Sequence, residues 1–270
     1  MRSSKLLLDG PVVRVYDVCC RAPRSGCGAE EWSGVEQLVL PRRGVFVVHR
    51  RSEAVVADTN TAVFFGDDDE YRVSHPTADG DDCTVLVVAP ELLREAFGGE
   101  TGRQGTLRPE AQLGLWVVTR ALAAGSMDAL EAEEAVLALL DVLRPRRYPL
   151  TSQGPARSVR RARVGEVCEL LASSPTTRWD LRALASAVHC SPFHLTRQFR
   201  ALTGETVSGY LVRLRLALAL ARLAEGETRL AGLALDLGFA HHSHFSARFR
   251  AVFGLTPSAA RETLAPRRSL

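Results

Sequence analysis

The sequence predicts an α+β fold in which a β-sheet unit with a helix pair precedes an all-helical domain. Three observations support this prediction. From Val12 to Pro90 the chain consists of short aliphatic and β-branched runs separated by turn residues, a pattern typical of antiparallel sandwiches and barrels. From about residue 90 the apolar residues recur at helical spacing. Beyond residue 158 a helical pattern repeats after about 50 residues.

Length and composition are those of a globular protein with room for two domains. The chain has 270 residues, of which 46% are hydrophobic and 24% charged. No apolar run reaches the roughly 18 residues of a membrane helix, and MRSSKLLLDG is too weakly apolar for a signal peptide. We therefore expect a cytoplasmic protein without a membrane partner, whose six cysteines are reduced thiols or metal ligands rather than disulfides.

Charge is distributed unevenly between the two halves. Residues 1–150 carry 17 Lys and Arg against 23 Asp and Glu, a net charge of −6, whereas residues 151–270 carry 17 against 8, a net charge of +9. A compact basic domain attached to an acidic one indicates an anionic partner for the basic part. That partner is most often nucleic acid and sometimes a membrane surface.

The N-terminal domain is predicted to span residues 1–143. Its strands should form an antiparallel β-barrel, and the segments AQLGLWVVTRALAAG and DALEAEEAVLALLDVLRP should form an antiparallel helix pair behind it. Asp128 followed by Glu131 is a plausible capped start for the second helix. The predicted strands are VVRVYDV, VEQLVL, GVFVVHR, AVVA, AVFF, YRVSH and CTVLVVAP.

Residues 144–158, RPRRYPLTSQGPARS, are predicted to be an interdomain linker. The segment is rich in Pro, Arg, Ser and Gly and has no periodicity. Residues 159–270 then read as an all-helical domain, beginning with the amphipathic segment VRRARVGEVCELLAS.

Two copies of a short helix, a turn and a second helix make up this domain. In the first copy, HCSP supplies a turn, Ser191 as N-cap and Pro192 at the first helical position, and Gly204 ends the helix. In the second copy, LAGLALDLGFAHHSHFSARFRAVFGLTP has the same order and ends at Gly254. The segment VSGYLVRLRLALALARLAEG between them is predicted to be a long helix that holds the copies at a fixed separation.

This arrangement is typical of a helix-turn-helix repeat that binds double-stranded DNA. The second helix of each copy carries Arg and small polar residues on its outer face, and a helix has the diameter that the DNA major groove admits. Two copies on a rigid connector would meet successive major grooves on one face of the duplex, about 34 Å apart.

Residues 160–263 resemble the DNA-binding domain of AraC/XylS-type transcription regulators. The most specific part is the pattern GF-x3-S-x-F-x3-FR-x2-FG-x-TP. This C-terminal pattern is present as Gly238, Phe239, Ser243, Phe245, Phe249, Arg250, Phe253, Gly254, Thr256 and Pro257.

The N-terminal segment GDDDEYRVSHPTADGDDCTVLVVAP more weakly resembles the closing strands of the cupin-like sensor barrel of many such regulators.

The resemblance assigns groove-facing positions in both copies. In the first copy Arg197 is the expected reader of a guanine through bidentate bonds to O6 and N7, with a phosphate contact or a solvated Arg as the alternative. In the second copy the family commonly has Arg where this chain has Ala247, so sequence reading there is in doubt and Arg248 and Arg250 would mainly contact phosphates. The predicted DNA-binding residues are Phe193, Thr196, Arg197, Arg200, His242, Ser243, Ser246, Arg248 and Arg250.

Three histidines, His241, His242 and His244, lie at the predicted start of the second recognition helix. Zinc sites favour histidines at i and i+4 or paired CxxC ligands, and this cluster has neither. DNA contact by one or more imidazoles is therefore the expected role, and a solvated helix start is the alternative.

The β unit is predicted to sense a signal rather than to catalyse a reaction. An enzymatic cupin needs about three histidines and a carboxylate on one metal, whereas this unit has His49 and His75 and no HxH pair. We therefore expect no catalytic residue, bound metal or cofactor. The cysteines of this unit are expected to be buried structural thiols. The alternative that stays open is a soft metal site or a redox switch formed by Cys19, Cys20, Cys27, Cys83 and His75.

The expected function is therefore that of a sequence-specific DNA-binding transcription regulator. Its N-terminal domain would respond to a small-molecule or redox signal, and helices near residues 110–143 would make a homodimer. RNA polymerase is a further expected partner of such a regulator. One alternative is a DNA-repair protein with a helix-turn-helix part, although this sequence lacks the cysteine motifs expected of such a protein. The other alternative is an architectural DNA-binding protein.

Overall fold

The structure is a computed structural model that describes residues 2–21, 23–51, 53–97, 104–143 and 155–265. Its N-terminal part forms two antiparallel sheets, as the alternating β-branched runs predict. The strands are β1 (Arg2–Asp9), β2 (Val13–Cys20), β3 (Glu31–Trp32), β4 (Gln37–Arg43), β5 (Val45–Arg50), β6 (Glu53–Asp58), β7 (Thr61–Phe65), β8 (Glu70–Ser74), β9 (Asp81–Val88) and β10 (Gln104–Thr106).

The two sheets do not close into the predicted barrel. One sheet has the strand order β1-β2-β9-β4-β7-β10 and the other β3-β8-β5-β6, so each keeps two edge strands. Closure would need every edge strand to pair with another strand. The edge strand β3 spans only Glu31–Trp32, and β1 begins with exposed polar residues, Arg2 to Lys5. The prediction of antiparallel β structure is confirmed, and the prediction of a closed barrel is wrong.

The inner faces of the two sheets enclose a hydrophobic core. Strand β2 pairs with β9 without interruption, from Val13 opposite Val88 to Cys20 opposite Asp81. Since side chains alternate between the faces of a strand, this register directs Val18, Cys20, Asp81 and Cys83 towards the same interior. The core there is formed by Val18, Phe46, Val48, Val55, Ala57, Val63, Phe65, Tyr71, Cys83 and Val85.

Three helices follow the sheets in the N-terminal domain: α1 (Pro90–Phe97), α2 (Pro109–Ala123) and α3 (Ala129–Val142). The predicted cap of α3 is confirmed, because the Asp128 side chain accepts from the Glu131 amide while the Glu131 side chain accepts from the Asp128 amide. Helices α2 and α3 pack on each other and share a core with the six-stranded sheet through residues such as Leu38, Leu115 and Val136. The predicted helix pair is therefore present.

The part of the C-terminal domain that the structure describes is helical. Most of the predicted linker, residues 144–154, lies outside the described residues, and its last four residues already belong to α4. No helix within the described ranges is long and apolar enough to cross a membrane. The helices are α4 (Pro155–Ser173), α5 (Leu181–Ala187), α6 (Pro192–Thr203), α7 (Val207–Ala224), α8 (Leu230–Asp236), α9 (His242–Phe253) and α10 (Pro257–Leu264).

Each helix-turn-helix unit has its own core, and α7 contributes to both. The first unit packs α4, α5 and α6 around the N-terminal half of α7, with Phe199 fully buried at its centre. The second unit packs α8, α9 and α10 around the C-terminal half of α7, with Phe245 and Phe249 fully buried. Helix α7 has 18 residues and is therefore about 27 Å long. The predicted long connecting helix is confirmed.

The N-terminal domain packs directly against both units. Trp116 of α2 is buried in the core of the second unit, and Val56 of β6 packs against the core of the first. In the first turn of α7, the buried Tyr210 hydroxyl donates to Asp58, and Asn60 Nδ2 donates to the Tyr210 carbonyl at 3.4 Å. The N-terminal domain thus contacts both units and the helix that joins them.

Candidate nucleic-acid interface

Helix α6 of the first unit has the boundaries that its sequence predicts. The Ser191 side chain accepts a hydrogen bond from the His194 amide, so it caps the helix, and Pro192 occupies the first turn. Gly204 ends the helix in the left-handed conformation at φ 78°. These local signals fix which residues face outwards.

The outer face of α6 carries the four side chains predicted for it. Leu195 and Phe199 are fully buried and anchor the opposite face in the core of the first unit. Phe193 is 69% exposed although it is a large apolar residue, so it is available to contact a partner. The exposed stripe has the spacing i, i+3, i+4 and i+7 and consists of Phe193, Thr196, Arg197 and Arg200.

Helix α9 of the second unit begins with an unusual cap. His241 is its N-cap residue, and the imidazole Nδ1 accepts a hydrogen bond from the His244 amide at 3.2 Å. The His244 ring lies edge-on to Phe239, with 5.7 Å between the ring centroids. The sequence places these histidines correctly at the helix start, but capping was missed because His is not among the preferred N-cap residues.

The outer face of α9 carries its arginines at different positions from those of α6. Phe245, Phe249 and Phe253 are buried against the second unit. Ala247 occupies the position that matches Arg197, and Arg248 lies about 100° further around the helix. His242 Nε2 lies 3.2 Å from the hydroxyl of the half-buried Ser246. The exposed polar and charged side chains of this face are those of His242, Ser243, Arg248 and Arg250.

The arginines of the two recognition helices differ from the ion-paired arginines of α7. Arg213 pairs with Glu205, and Arg222 pairs with Glu227 at 2.8 Å and with Asp236 at 3.0 Å. On α6 and α9, by contrast, four exposed arginines have no ion pair with any residue that the structure describes. These are Arg197, Arg200, Arg248 and Arg250.

A left-handed residue forms the turn between the two helices of each unit. It is His189 at φ 51° in the first unit and Gly238 at φ 78° in the second. A side chain costs roughly 1–2 kcal/mol in this conformation, and glycine avoids that cost. The sequence marks Gly238 as a turn residue, whereas nothing in the sequence marks His189.

Arg215 of α7 joins the two units, and sequence reasoning missed it. Its guanidinium donates to the carbonyl oxygens of Pro175 at 2.8 Å and Thr177 at 3.0 Å, which follow α4. It also donates to the Gly238 carbonyl at 3.2 Å, in the turn of the second unit. Burial lowers the pKa of Arg215 from its ordinary value. Since three backbone carbonyls converge on one side chain, Arg215 helps to fix the orientation of the loop after α4 relative to the turn of the second unit.

The N-terminal domain encloses a cavity of about 290 Å³ between its two sheets. Three of the five residues considered for a metal or redox site meet there, namely Cys20, His75 and Cys83, whereas Cys27 is exposed. Burial raises the pKa of the Cys83 thiol well above its ordinary value, and the charge of Asp81 acts in the same direction.

Cys19 and His49 lie outside the set of residues that line the cavity. Burial raises the pKa of the Cys19 thiol, and a hydrogen bond with Asp82 adds to the effect. His49 Nε2 lies 2.8 Å from the Ser74 hydroxyl. Sequence reasoning singled out neither Asp81, which lies beside His75, nor the aromatic lining residues Phe46, Phe65 and Tyr71.

Comparison with known proteins matches the C-terminal domain most clearly. The helix-turn-helix domain family model matches residues 184–263. The transcriptional activator RhaR of Enterobacter sp. is 30% identical over 129 residues, which are 48% of this chain and 45% of RhaR. An AraC-like transcription regulator of Streptomyces lividans is 31% identical over 125 residues, which are 46% of this chain and 41% of that protein. The chain thus spans less than half the length of these curated relatives.

A solved structure, ToxT from Vibrio cholerae O395, aligns with 94% of this chain and 97% of its own. The sequence identity is 10% and the TM-score 0.38, values too low to support an argument about function. The similarity of the C-terminal domain to AraC-type regulators rests instead on the matched helix-turn-helix domain, on the AraC-like relative and on the ten-position pattern from Gly238 to Pro257. Residues 184–263 of this chain are thus similar to the DNA-binding domain of AraC/XylS-type regulators.

Proposed function

We propose that the chain is a cytoplasmic, sequence-specific DNA-binding transcription regulator whose helices α6 and α9 enter successive major grooves of double-stranded DNA. The observation that carries the proposal is the set of exposed arginines without ion pairs on two equivalent helices, Arg197 and Arg200 on α6, and Arg248 and Arg250 on α9. A buried or paired arginine would have to break existing contacts before it could bind DNA. These four arginines can bind phosphates or base edges without that cost.

The two units have unequal roles in this proposal. Helix α6 presents Arg197 next to Thr196 and the exposed Phe193, so it combines a bidentate donor with an apolar group suited to a thymine methyl. Helix α9 has Ala247 at the equivalent position and bears its arginines at Arg248 and Arg250. We therefore assign most sequence reading to α6 and mainly phosphate contacts to α9.

The N-terminal domain has the role of a sensor without catalytic activity in this proposal. Its cavity of about 290 Å³ is lined by polar and apolar side chains of both sheets and is large enough for a small ligand. The domain contacts both helix-turn-helix units and α7, so a ligand that moves its sheets would also act on the DNA-binding helices. The named relatives are a transcriptional activator and a transcription regulator, which is consistent with this role.

A homodimer formed through α3 completes the proposal. Helix α2 is occupied within the chain, because Trp116 is buried against the second helix-turn-helix unit. Helix α3 is available, since its side chains Leu130 and Leu137 are 67% and 37% exposed. Their separation of seven residues places them on one side of the helix.

Selection of binding sites from a pool of random double-stranded DNA tests the proposed function. The full chain should enrich one sequence motif and bind it at least about 10³-fold more tightly than random DNA at the same salt concentration. Enrichment of no motif, with equal affinity for all duplexes, would favour an architectural protein. Preference for a damaged duplex over an intact one of the same sequence would favour a repair protein.

A further inference from the structure

The cavity of the N-terminal domain contains a cluster of three metal-binding side chains. Cys20 Sγ lies 3.4 Å from His75 Nε2, and His75 Nε2 lies 3.2 Å from Asp81 Oδ1. The three donor atoms all lie within 4.8 Å of one another. They come from different places in the chain, because Cys20 ends β2, Asp81 begins β9 opposite it, and His75 follows β8.

The cluster is partly buried, with Asp81 buried and Cys20 and His75 half-buried. The side chain of His75 is 13% exposed and that of Asp81 is 6% exposed. Asp81 Oδ1 is buried and receives no well-aligned hydrogen bond from the residues that the structure describes, although His75 Nε2 lies 3.2 Å from it. A buried carboxylate oxygen without a donor carries a free-energy cost of roughly 1–3 kcal/mol, more if it is charged.

One hydrogen bond of His75 Nε2 cannot serve both of its neighbours in this cluster. The single Nε2 atom of His75 has either one proton or one lone pair, whereas it faces both the Cys20 thiol and the Asp81 carboxylate. A cation between the three donors would contact all of them at once. It would also give Asp81 Oδ1 a cationic partner in addition to His75.

Two of the three separations between the donors match the coordination shell of a zinc-like ion. Ligand distances of about 2.0–2.3 Å in a tetrahedral shell give donor-to-donor separations of roughly 3.3–3.7 Å. The two contacts of His75 Nε2, at 3.4 and 3.2 Å, agree with this range to within a small side-chain adjustment. Cys83 Sγ, 3.4 Å from the second oxygen of Asp81, offers a further donor at the cavity wall.

We propose that Cys20, His75 and Asp81 bind a thiophilic divalent metal ion of the Zn²⁺ type in the cavity of the N-terminal domain. A thiolate, an imidazole and a carboxylate together favour such an ion over Mg²⁺ or Ca²⁺, which select oxygen ligands. Metal binding requires only the geometry of this site. A role of the metal as the signal rests in addition on the proposed regulatory function.

Titration of the purified, chelator-treated full chain with Co²⁺ tests the site, because a cobalt–thiolate bond gives a charge-transfer absorption band. We expect one Co²⁺ per chain with this band, and its displacement by Zn²⁺. Loss of an outer-shell partner already weakens metal binding about 10–100-fold, so Cys20→Ser, His75→Gln and Asp81→Asn should each weaken it by at least that factor.

Cys19→Ser is the matched control, because Cys19 neighbours Cys20 on β2 but does not line the cavity. It should leave the stoichiometry and the band unchanged. Absence of Co²⁺ binding by the unmodified chain would overturn the proposal even if a variant failed to fold. A band that survives in Cys20→Ser, or that Cys19→Ser removes equally, would also overturn it.

Measurement of DNA affinity on the same chelator-treated and metal-loaded samples separates this inference from the proposed function. DNA binding without Co²⁺ binding would contradict the proposed metal site but not the proposed function. Specific Co²⁺ binding without any DNA binding would support the proposed metal site and contradict the proposed function.

Discussion

At the scale of single residues, Arg197 is the side chain with the most direct predicted effect on sequence recognition. It is exposed on α6, lies next to Thr196, and has no ion pair with any described residue that it would need to break. We expect Arg197→Ala to weaken binding to the selected site by about 1–3 kcal/mol and to relax preference at one base pair. Quantitative binding to a panel of single-base variants measures both effects.

Arg72→Ala is the matched control for this substitution, because it also removes one positive charge but lies on β8 of the N-terminal domain. It should leave the preference at every base pair unchanged. If Arg197→Ala weakened binding to the selected site and to random DNA by the same factor, Arg197 would be a phosphate contact rather than a base reader.

His241 is expected to contribute to the stability of α9. Its Nδ1 atom accepts from the His244 amide, so His241→Ala should lower the free energy of unfolding by about 0.5–2 kcal/mol. His241→Asn should recover most of the loss, because the Asn side chain also accepts a hydrogen bond at an N-cap. Urea unfolding of the three chains checks this. Equal losses for Ala and Asn would show that the ring has another role.

At the scale of secondary-structure elements, the features that depend on local sequence could be predicted. Ser191, Gly204 and the Asp128–Glu131 capping box act within one helical turn of the boundaries they set, and the structure confirms each. The repeat of two helix-turn-helix units could be predicted for the same reason. The four outward-facing side chains of α6 then followed from helical periodicity.

Features that depend on distant contacts could not be predicted from the sequence. Barrel closure depends on whether the edge strands β1 and β3 find partners, which strand periodicity does not reveal. The apolar stripe of α2 was interpreted as part of a dimer surface, but Trp116 is buried against the second helix-turn-helix unit of the same chain. The meeting of Cys20, His75 and Asp81 likewise depends on the pairing of β2 with β9.

Helix α3 is expected to mediate dimer formation. Substitution of both Leu130 and Leu137 by Glu would place charges on its exposed apolar side and should convert a dimer to a monomer. Leu235→Glu is the control, since Leu235 is a 62% exposed leucine of α8. Sedimentation equilibrium at micromolar concentration measures the association state. A dimer that persists after both α3 substitutions, or an unmodified chain that is monomeric, would contradict the prediction.

At the scale of the whole molecule, the contact between Asp58 and Tyr210 couples the N-terminal domain to α7. Asp58 is fully buried and accepts from the Tyr210 hydroxyl, from the Asn60 amide at 2.9 Å and from Thr61 Oγ1 at 3.0 Å. Burial raises the pKa of Asp58, and these hydrogen bonds oppose the effect in part. Burial also raises the pKa of Tyr210 well above its ordinary value, so its hydroxyl remains a donor.

Tyr210→Phe should lower the free energy of unfolding by about 1–3 kcal/mol, because it leaves a buried acceptor without its donor. Since the pKa of Asp58 is raised in the folded chain, protonation favours folding, and this contribution is lost as the pH rises through the folded pKa. The loss caused by Tyr210→Phe should therefore shrink as the pH is lowered from neutral through the folded pKa of Asp58, because a neutral carboxyl needs fewer donors.

Urea unfolding of both chains across this pH range checks the prediction. Tyr71→Phe is the control, because its hydroxyl donates at 3.4 Å to the partly exposed Glu31 within the N-terminal domain. It should have a smaller effect. A loss for Tyr210→Phe that grows as the pH falls would contradict the described role of Asp58.

The central claim is that α6 and α9 of one chain enter successive major grooves on the same face of DNA. Methylation interference at guanine N7, on the sequence selected by the full chain, measures this most directly because N7 lies in the major groove. We predict two clusters of interference per chain, centred about 10 base pairs apart, with Arg197→Ala removing dependence on one guanine in one cluster only. A single cluster, or binding that is indifferent to N7 methylation throughout the site, would contradict the claim.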